Sequence, residues 1–405
     1  AICIGPPGIN TYMNVQAILT AAKQTGADSI HPGYGFLSEN SAFSKAVADA
    51  ELTFIGPSAQ IIELMGNKIN AISTMRSHGV PTIPGSLGKL PRCPKQQKRL
   101  AEDIGYPILI KAASGGGGRG MMPVHQPEKL NESIHTVQSQ AAALYGDDHV
   151  YFEKYLQQPR HIEVQILADN HGRVLCIGDR DCSIQRRHQK VLEEAPAFNI
   201  HPSDRVGLYE ICAKAIREIG YVGLGTIELL YEQGRFYFIE MNTRVQVEHP
   251  VTEMCTGIDL IQLQILAHAG QKLMIDQEDI HSNGHAIECR INAEDPITMQ
   301  PCPGTINHLH FPGGTGIRVD SHIYSGFKIS HCYDSMIAKI IAHAPTRHQA
   351  ILAMRQALKE TLISGISTNI KLHEKILSDP EFTEGRIHIH FLEKKPSKAT
   401  DKVKT

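Results

Sequence analysis

Apolar and polar positions change their period along the chain in a set order. Residues 1 to about 65 alternate short apolar runs with helical patterns. Asn14 to Thr25 reads as a helix, Asp28 to His31 as a short strand, Ser41 to Glu51 as a second helix, and LTFIGP as a second strand. That alternation predicts a parallel sheet with covering helices. Residues 58 to 82 read as helices and a connector. A separable unit follows over 83–155: helix Lys95 to Ile104, strand YPILIKAA, a glycine run, helix Pro127 to Tyr145 and strand HVYFEKYL. From His161 onward strands dominate. RHIEVQILAD alternates, RVLCIGDRDC runs into a basic extended segment, and GHAIECRINAED, Val319 to Gly326 and Met336 to His343 continue the sheet. Helices are predicted over His201 to Gly220, Ile258 to Ala269 and Thr346 to Leu362. The class is α/β followed by α+β. The divisions are 1–65, a linker at 66–82, 83–155, and 156–395, with 396–405 as a polar tail that reads as disordered.

The stretch GTIELLYEQGRFYFIEMNTRVQVEHP over 225–250 carries the most chemistry. Thr226 to Tyr231 and Arg235 to Met241 are two strand runs about a Glu232-Gln233-Gly234 break, which is a hairpin signal. Centred on Gly234, the hairpin sets Glu228 across from Glu240. Facing carboxylates repel, whereas a hard divalent cation takes carboxylate oxygens. Asn242 shares the face of Glu240 and offers a neutral oxygen. Two glutamates on a solvated face are the alternative, but the apolar flanks favour metal binding. If the strand continues, Asn242, Arg244, Gln246 and Glu248 form one row. A cation, an amide and a carboxylate beyond a metal site suit a small anion and a base; a polar edge-strand face is the plainer reading.

Other segments add candidates. His31-Pro32-Gly33-Tyr34-Gly35 follows a predicted strand, where ligand loops of parallel sheets lie, though a Pro/Gly turn would look the same. Ser114 to Met121 holds Gly115, Gly116, Gly117 and Gly118 just after Lys111. The run lacks the ending of a P-loop, yet backbone N–H groups of such a run can wrap an anion or form a lid. Lys68, Glu153 and Lys154 look like ordinary solvated charges. Arg186, Arg187, His188 and Lys190 concentrate positive charge without the interleaved aromatics of a base-stacking surface. Cys182 beside them reads as structural. His388 and His390 alternate on a predicted strand; the bland reading is preferred there to a metal pair.

Composition narrows the classes. The chain has 405 residues, with 40 Lys and Arg against 42 Asp and Glu and a net charge of −2, so neither nucleic acid nor an acidic tail is implied. Nine dispersed cysteines with no C-x-x-C pair fit a reducing, cytoplasmic setting. No run is long enough for a membrane span, and no signal peptide opens the chain.

The motifs HPGYGFLSEN, KAASGGGGRGM, RDCSIQRRHQKVLEEAPA, FIEMNTRVQVEHPVTEM and HAIECRINAEDP, spread over nearly the whole chain, resemble the biotin carboxylase branch of the ATP-grasp enzymes. The resemblance implies an ATP-grasp fold with a parallel-sheet N-terminal domain truncated at its start, a mobile lid and a large C-terminal mixed-sheet domain. It implies an acetyl-CoA carboxylase subunit that carboxylates biotin on a carrier protein from ATP and bicarbonate, via carboxyphosphate. The expected partners are the biotin carboxyl carrier protein and carboxyltransferase subunits, with a homodimer in the full-length protein. Mg²⁺ or Mn²⁺ would sit on Glu228, Glu240 and Asn242. ATP would meet Lys68, Lys111, the glycines, the hinge at Glu153, Lys154 and Leu156, and His161, Gln185, His188, Leu230 and His390. Bicarbonate would meet Lys190, Arg244, Gln246 and the Val247 backbone, with Glu248 as general base. Tyr34 would line the biotin pocket, and Arg290 would stabilise the enolate-like ureido oxygen. Three other readings compete: a fragment of a pyruvate or other acyl-CoA carboxylase, another ATP-grasp ligase of the carbamoyl-phosphate or D-alanine ligase type, which would lack HPGYGF and RVQVEHPVTE, and a non-catalytic ATP-grasp nucleotide-binding module.

Overall fold

The computed structural model describes residues 1–86, 88–114 and 120–393. The glycines Gly115 to Gly118 and the tail 396–405 lie outside the described residues. At the start, β1 (Ser29–Ile30) and β2 (Thr53–Phe54) pair in parallel, with helices Val15–Thr25 and Ser41–Asp49 alongside. Asn14, Asn40 and Ser58 cap the helices that follow them, each side chain accepting a backbone N–H three residues on. Asn67 does the same for helix Lys68–Ser77, inside the stretch expected as a linker. Lys68 is therefore the first residue of a helix.

The second unit is a three-stranded antiparallel sheet of β3 (Ile108–Ala112), β4 (Met121–Val124) and β5 (Val150–Lys154), in the order β4-β3-β5. Alternate apolar residues of β3 and β5 pack with Leu130, Ile134 and Val137 of helix Leu130–Tyr145. Lys111 and Glu153 sit on the other face of this sheet.

The third unit is organised on eight strands: β6 (Arg160–Ala168), β7 (Val174–Arg186), β8 (Gln189–Ala195), β9 (Gly223–Glu232), β10 (Arg235–Asn242), β11 (His285–Asn292), β13 (Ile317–Ser321) and β14 (Met336–Ala344). A short separate pair, β12 (His308–His310) with β15 (Leu362–Ser364), lies apart. The large sheet runs β10-β9-β6-β7-β8-β11-β14-β13. Its seven pairings are antiparallel, and a parallel bridge joins Thr82 to Phe238 at the β10 edge. Short turns join β7 to β8 and β9 to β10, which antiparallel pairing permits without a crossover. One apolar cluster fills the β6–β10 end against helix Pro202–Glu218. Another fills the β11–β14 end against helix Arg347–Glu360. The reverse face of β8, β11 and β14 receives helix His249–Thr256. No helix among the described residues is long and apolar enough to cross a membrane.

Candidate active site

The hairpin forms, but its geometry departs from a simple fold-back. Gln233 and Gly234 make a two-residue turn at φ 51° and 77°, between the paired residues Glu232 and Arg235. Left-handed backbone at both positions matches the strand twist. Continued without interruption, that register would bring Ile239 opposite Glu228. A β-bulge between Phe238 and Glu240 adds one residue, and Glu240 becomes the partner of Glu228. Phe236, Phe238 and Met241 remain in the core, while Ile239, Glu240 and Asn242 line a cleft of about 1020 Å³.

Strand structure ends at Asn242. The residues up to Glu248 form a loop, not the strand extension expected from their alternation, and helix His249–Thr256 begins beyond them. Specific bonds hold the loop. Glu39 accepts from the Thr243 N–H at 3.1 Å and from Arg244 Nε at 2.9 Å. The Arg180 guanidinium donates to Gln246 Oε1 at 2.7 Å, and Lys339 Nζ donates to the Val247 carbonyl at 2.7 Å. Arg244, Gln246, Val247 and Glu248 still line the cleft with Asn242. The grouping survives although the conformation differs.

Lys190 is the hub. Its ammonium donates to Glu228 Oε1 at 2.7 Å, to Glu248 Oε1 at 2.9 Å and to Glu163 Oε1. Arg290 reaches the other oxygen of Glu248 at 2.9 Å and binds Glu193 at 2.6 Å. Asn242 Nδ2 and Gln246 Nε2 also donate to Glu228 Oε1, at 2.6 and 2.8 Å. His161 Nε2 lies 3.1 Å from Glu228 Oε2, and Gln185 contacts its Nδ1 at 3.0 Å. Glu240 is met by Lys68 Nζ at 2.9 Å. Lys111 Nζ donates to Glu153 Oε2 at 3.0 Å across the second unit.

Neighbouring charges, set against burial, decide the protonation states. It resists ionising Glu228, but Lys190 and His161 overcome it and hold the carboxyl well below the usual range. Burial also resists charging His161, yet Glu228 and Glu163 lift it to about 9. For Lys190, three carboxylates outweigh desolvation and keep the ammonium charged. Glu248 is lowered as well, with burial opposed chiefly by Lys190 and then by Arg290. Burial drives the Cys182 thiol well up, so it is inert, as read from the sequence.

The remaining candidates are placed as follows. Tyr34, Leu156, Leu230, His188 and His390 line the cleft. Lys154 lines it too, but its backbone N–H is given to the Pro84 carbonyl at 2.7 Å and its Nζ to Gly105 O at 2.7 Å. Arg187 and His188 form the β7–β8 turn at φ 50° and 63°, so the basic run is a hairpin tip and not an extended patch. Arg186 is spent on Glu294 at 2.8 Å. His388 and His390 lie outside any strand; His390 Nδ1 meets Glu393 at 2.9 Å. Sequence reading missed Glu163, Arg180, Glu193, Lys339 and Glu39. Arg180 is fully buried, binding Glu163 at 2.9 Å and Gln165 at 2.7 Å. The available signal was complementary: alternating His161-Glu163-Gln165 on one strand faces alternating Arg180 and Cys182 on the next.

Three family descriptions match consecutive parts of the chain. They are the biotin carboxylase N-terminal domain over residues 1–62, the carbamoyl-phosphate synthase L chain ATP-binding domain over 67–276 and the biotin carboxylase C-terminal domain over 288–394. The biotin carboxylase of Haemophilus influenzae is 56% identical over 97% of this chain and 88% of its own length. A pyruvate carboxylase subunit of Methanothermobacter thermautotrophicus is 46% identical over 96% and 80%. Among solved structures, a Campylobacter jejuni biotin carboxylase–βγ-ATP complex superposes with a TM-score of 0.93 at 46% identity, over 97% of this chain and 88% of its own. The biotin carboxylase domain dimer of Hydrogenobacter thermophilus 2-oxoglutarate carboxylase, with MgADP, ADP and bicarbonate, gives 0.91 at 45%, over 97% and 86%. Fold and cleft define an ATP-grasp carboxylase. The chain belongs to the biotin carboxylase family, whose members carboxylate biotin in an ATP-dependent reaction.

Proposed function

We propose that this cleft carries out bicarbonate activation by ATP followed by carboxylation of biotin borne on a carrier protein, the first half-reaction of an acetyl-CoA carboxylase. The observation that carries this reading is the junction at Lys190, where one ammonium meets Glu163, Glu228 and Glu248 while Arg290 closes on Glu248 from the other side. Positive groups stand ready for anionic substrates, and each is neutralised by a carboxylate until one arrives.

Glu228 and Glu240 fit a divalent cation of the Mg²⁺ or Mn²⁺ kind. They pair across one rung, face one cleft, and are each neutralised in the meantime by a cationic side chain. Asn242 turns its amide N–H to Glu228 and its oxygen to Arg244 at 2.8 Å, so it would rotate to serve as a third oxygen ligand. Such a cation supplies charge neutralisation to the phosphates. Lys68, Lys111, His161, Gln185 and His188 would orient ATP. Leu156, Leu230 and His390, with the backbone near Glu153 and Lys154, would enclose its base. The unit 83–155 would close over it as a lid.

Lys190, Arg244, Gln246 and the Val247 backbone would hold bicarbonate. Glu248 is ionised and within hydrogen-bond reach of Lys190, so it can take the proton as bicarbonate oxygen attacks the γ-phosphorus. The bond to ADP breaks and carboxyphosphate forms. Its breakdown gives CO₂ and phosphate; the phosphate removes the biotin N1 proton, and N1 then bonds to the carbon of CO₂ to give carboxybiotin. Arg290 would stabilise the developing ureido oxyanion, with Tyr34 at the biotin pocket. A carrier protein, carboxyltransferase subunits and a second copy of the chain would be the partners. ADP release measured with and without bicarbonate and free biotin tests the reading. Dependence on both is expected; ATP binding without turnover would favour a nucleotide-binding module.

A further inference from the structure

Glu193 and Glu288 are carboxyl groups beside the cleft that the mechanism leaves without a task. Glu193 on β8 and Glu288 on β11 are directly opposite in antiparallel register, and both are fully buried. Residues so placed have Cβ atoms about 4.5–5.5 Å apart, close enough for the carboxyl groups to meet. Arg290 stands two residues beyond Glu288 on the same face and binds Glu193 Oε1 at 2.6 Å. The other oxygen of Glu193 and both oxygens of Glu288 have no hydrogen-bond partner among the described residues. The neighbouring cation favours ionisation of Glu288 through space but gives it no hydrogen bond. Lys339, opposite Arg290 on β14, is engaged by the Val247 carbonyl at 2.7 Å and Asp320 at 3.4 Å.

Two buried carboxylates on one rung repel, and a buried charge with no donor is costly. A single proton between them removes both penalties. We propose that Glu288 is kept as a carboxylic acid sharing its proton with Glu193, so that a positioning pair bearing one negative charge, not two, backs Arg290. Burial works in the same direction, raising Glu193 to about 7 against the pull of Arg290, and raising Glu288 well above the carboxylate range against Lys339. The charged groups facing the pair from the cleft side are Lys190, Glu163 and Glu248. Helix His249–Thr256, packed over this face, adds His249 and Glu253.

The consequence concerns Arg290, and it rests on the oxyanion role given to that residue above. Glu248 already takes one edge of the guanidinium. Two further full charges behind it would leave little positive potential for an oxyanion in the cleft. One shared charge fixes the orientation of the guanidinium and balances it, where two would outweigh it.

The test combines an infrared measurement with turnover on the whole chain. At neutral pH the unsubstituted protein should show a protonated-carboxyl C=O band that disappears in Glu288→Gln. The amide stands in for the neutral acid, so bicarbonate-dependent ADP release should stay near the original rate. Glu193→Gln removes the charge that holds Arg290 and should lower kcat by about tenfold or more, with the KM for ATP unchanged. Absence of the band, or a loss in Glu288→Gln as large as in Glu193→Gln, overturns the proposal. Should the amide variant misfold, Glu288→Met carries the same infrared test. If the band is present but Arg290→Gln turns over normally, the oxyanion role fails and the shared proton stands.

Discussion

Glu248 poses a problem of proton affinity. Clamped between Lys190 and Arg290, it is ionised but a weak base. General bases work best with a pKa near the operating pH. On the proposed mechanism the clamp would loosen when bicarbonate claims Lys190 for itself. Glu248→Gln keeps the shape and removes the base. Bicarbonate-dependent ATP cleavage should fall by about 10²–10⁴-fold while ATP binding is retained; unchanged turnover would remove Glu248 from that role. Lys339 acts one step further back. Its ammonium ends on the Val247 carbonyl, in the peptide that leads into Glu248. Lys339→Met should raise the KM for bicarbonate by about tenfold, the weight of a hydrogen bond to a charged group, and leave the KM for ATP alone. An equal rise in both constants would mean general loosening. Among single residues, those with a motif around them were legible: Glu228, Glu240, Arg244, Glu248 and Lys190. Glu163, Glu193 and Lys339 were not. A charged residue alternating with apolar ones in a strand looks solvent-facing, and only the strand stacked against it decides whether it is buried.

At the scale of elements, the hairpin shows agreement reached by a different route. A centre at Gly234 pairs Glu228 with Glu240, and the fold pairs them. The turn itself is centred between Gln233 and Gly234, and the bulge before Glu240 supplies the offset. Nothing in FYFIEMN marks a bulge, because an extra residue in a strand leaves the composition unchanged. The 242–248 alternation was misleading for a related reason: Glu39, Arg180 and Lys339, all distant in sequence, hold those residues as a loop. Another distant contact fastens β8 to the helix packed on β11 and β14. Glu194 on β8 receives Arg347, from the helix Arg347–Glu360, at 2.6 and 3.0 Å, and meets His285 at 2.7 Å. Burial opposes its ionisation, but His285 and Arg347 prevail and bring the carboxyl to about 2. A depressed acid stabilises the fold above its unfolded value, and that contribution is lost as pH falls toward 2. Glu194→Gln should therefore cost about 3–5 kcal/mol at neutral pH, as expected for a broken buried pair. Urea unfolding of both proteins from pH 7 down to pH 3 checks this: the gap between them should narrow as acid is added, and a gap independent of pH would contradict it.

For the whole molecule, the cleft is where three units meet. Tyr34 comes from the first, Lys68 from the connecting helix Lys68–Ser77, Lys111 and Glu153 from the second, and Glu228, Glu240 and Arg290 from the third. Isolated bridges, Gly85 with Glu153 and Thr82 with Phe238, tie the second and third units through the chain between them. The Lys111–Glu153 pair stays within the second unit, whereas Lys68–Glu240 joins the connecting helix to the third. A nucleotide in the cleft would therefore add cross-links that the chain alone makes sparsely. Ligand that binds only the folded state stabilises it by mass action, about 2.7 kcal/mol at a hundred times Kd. Thermal unfolding with increasing ATP and Mg²⁺ should show Tm rising with the logarithm of ligand concentration. Lys111→Met should need more ATP for the same rise, because a phosphate contact from the second unit is gone. Hydrogen exchange adds the spatial test: amides of β3 and β5 should slow when ATP is present, while those in the buried core of the large sheet should change little. A Tm that responds equally in the Lys111→Met protein, with no slowing in β3 or β5, would show that the second unit does not close on the nucleotide. The phosphates would then be held by the connecting helix and the third unit alone.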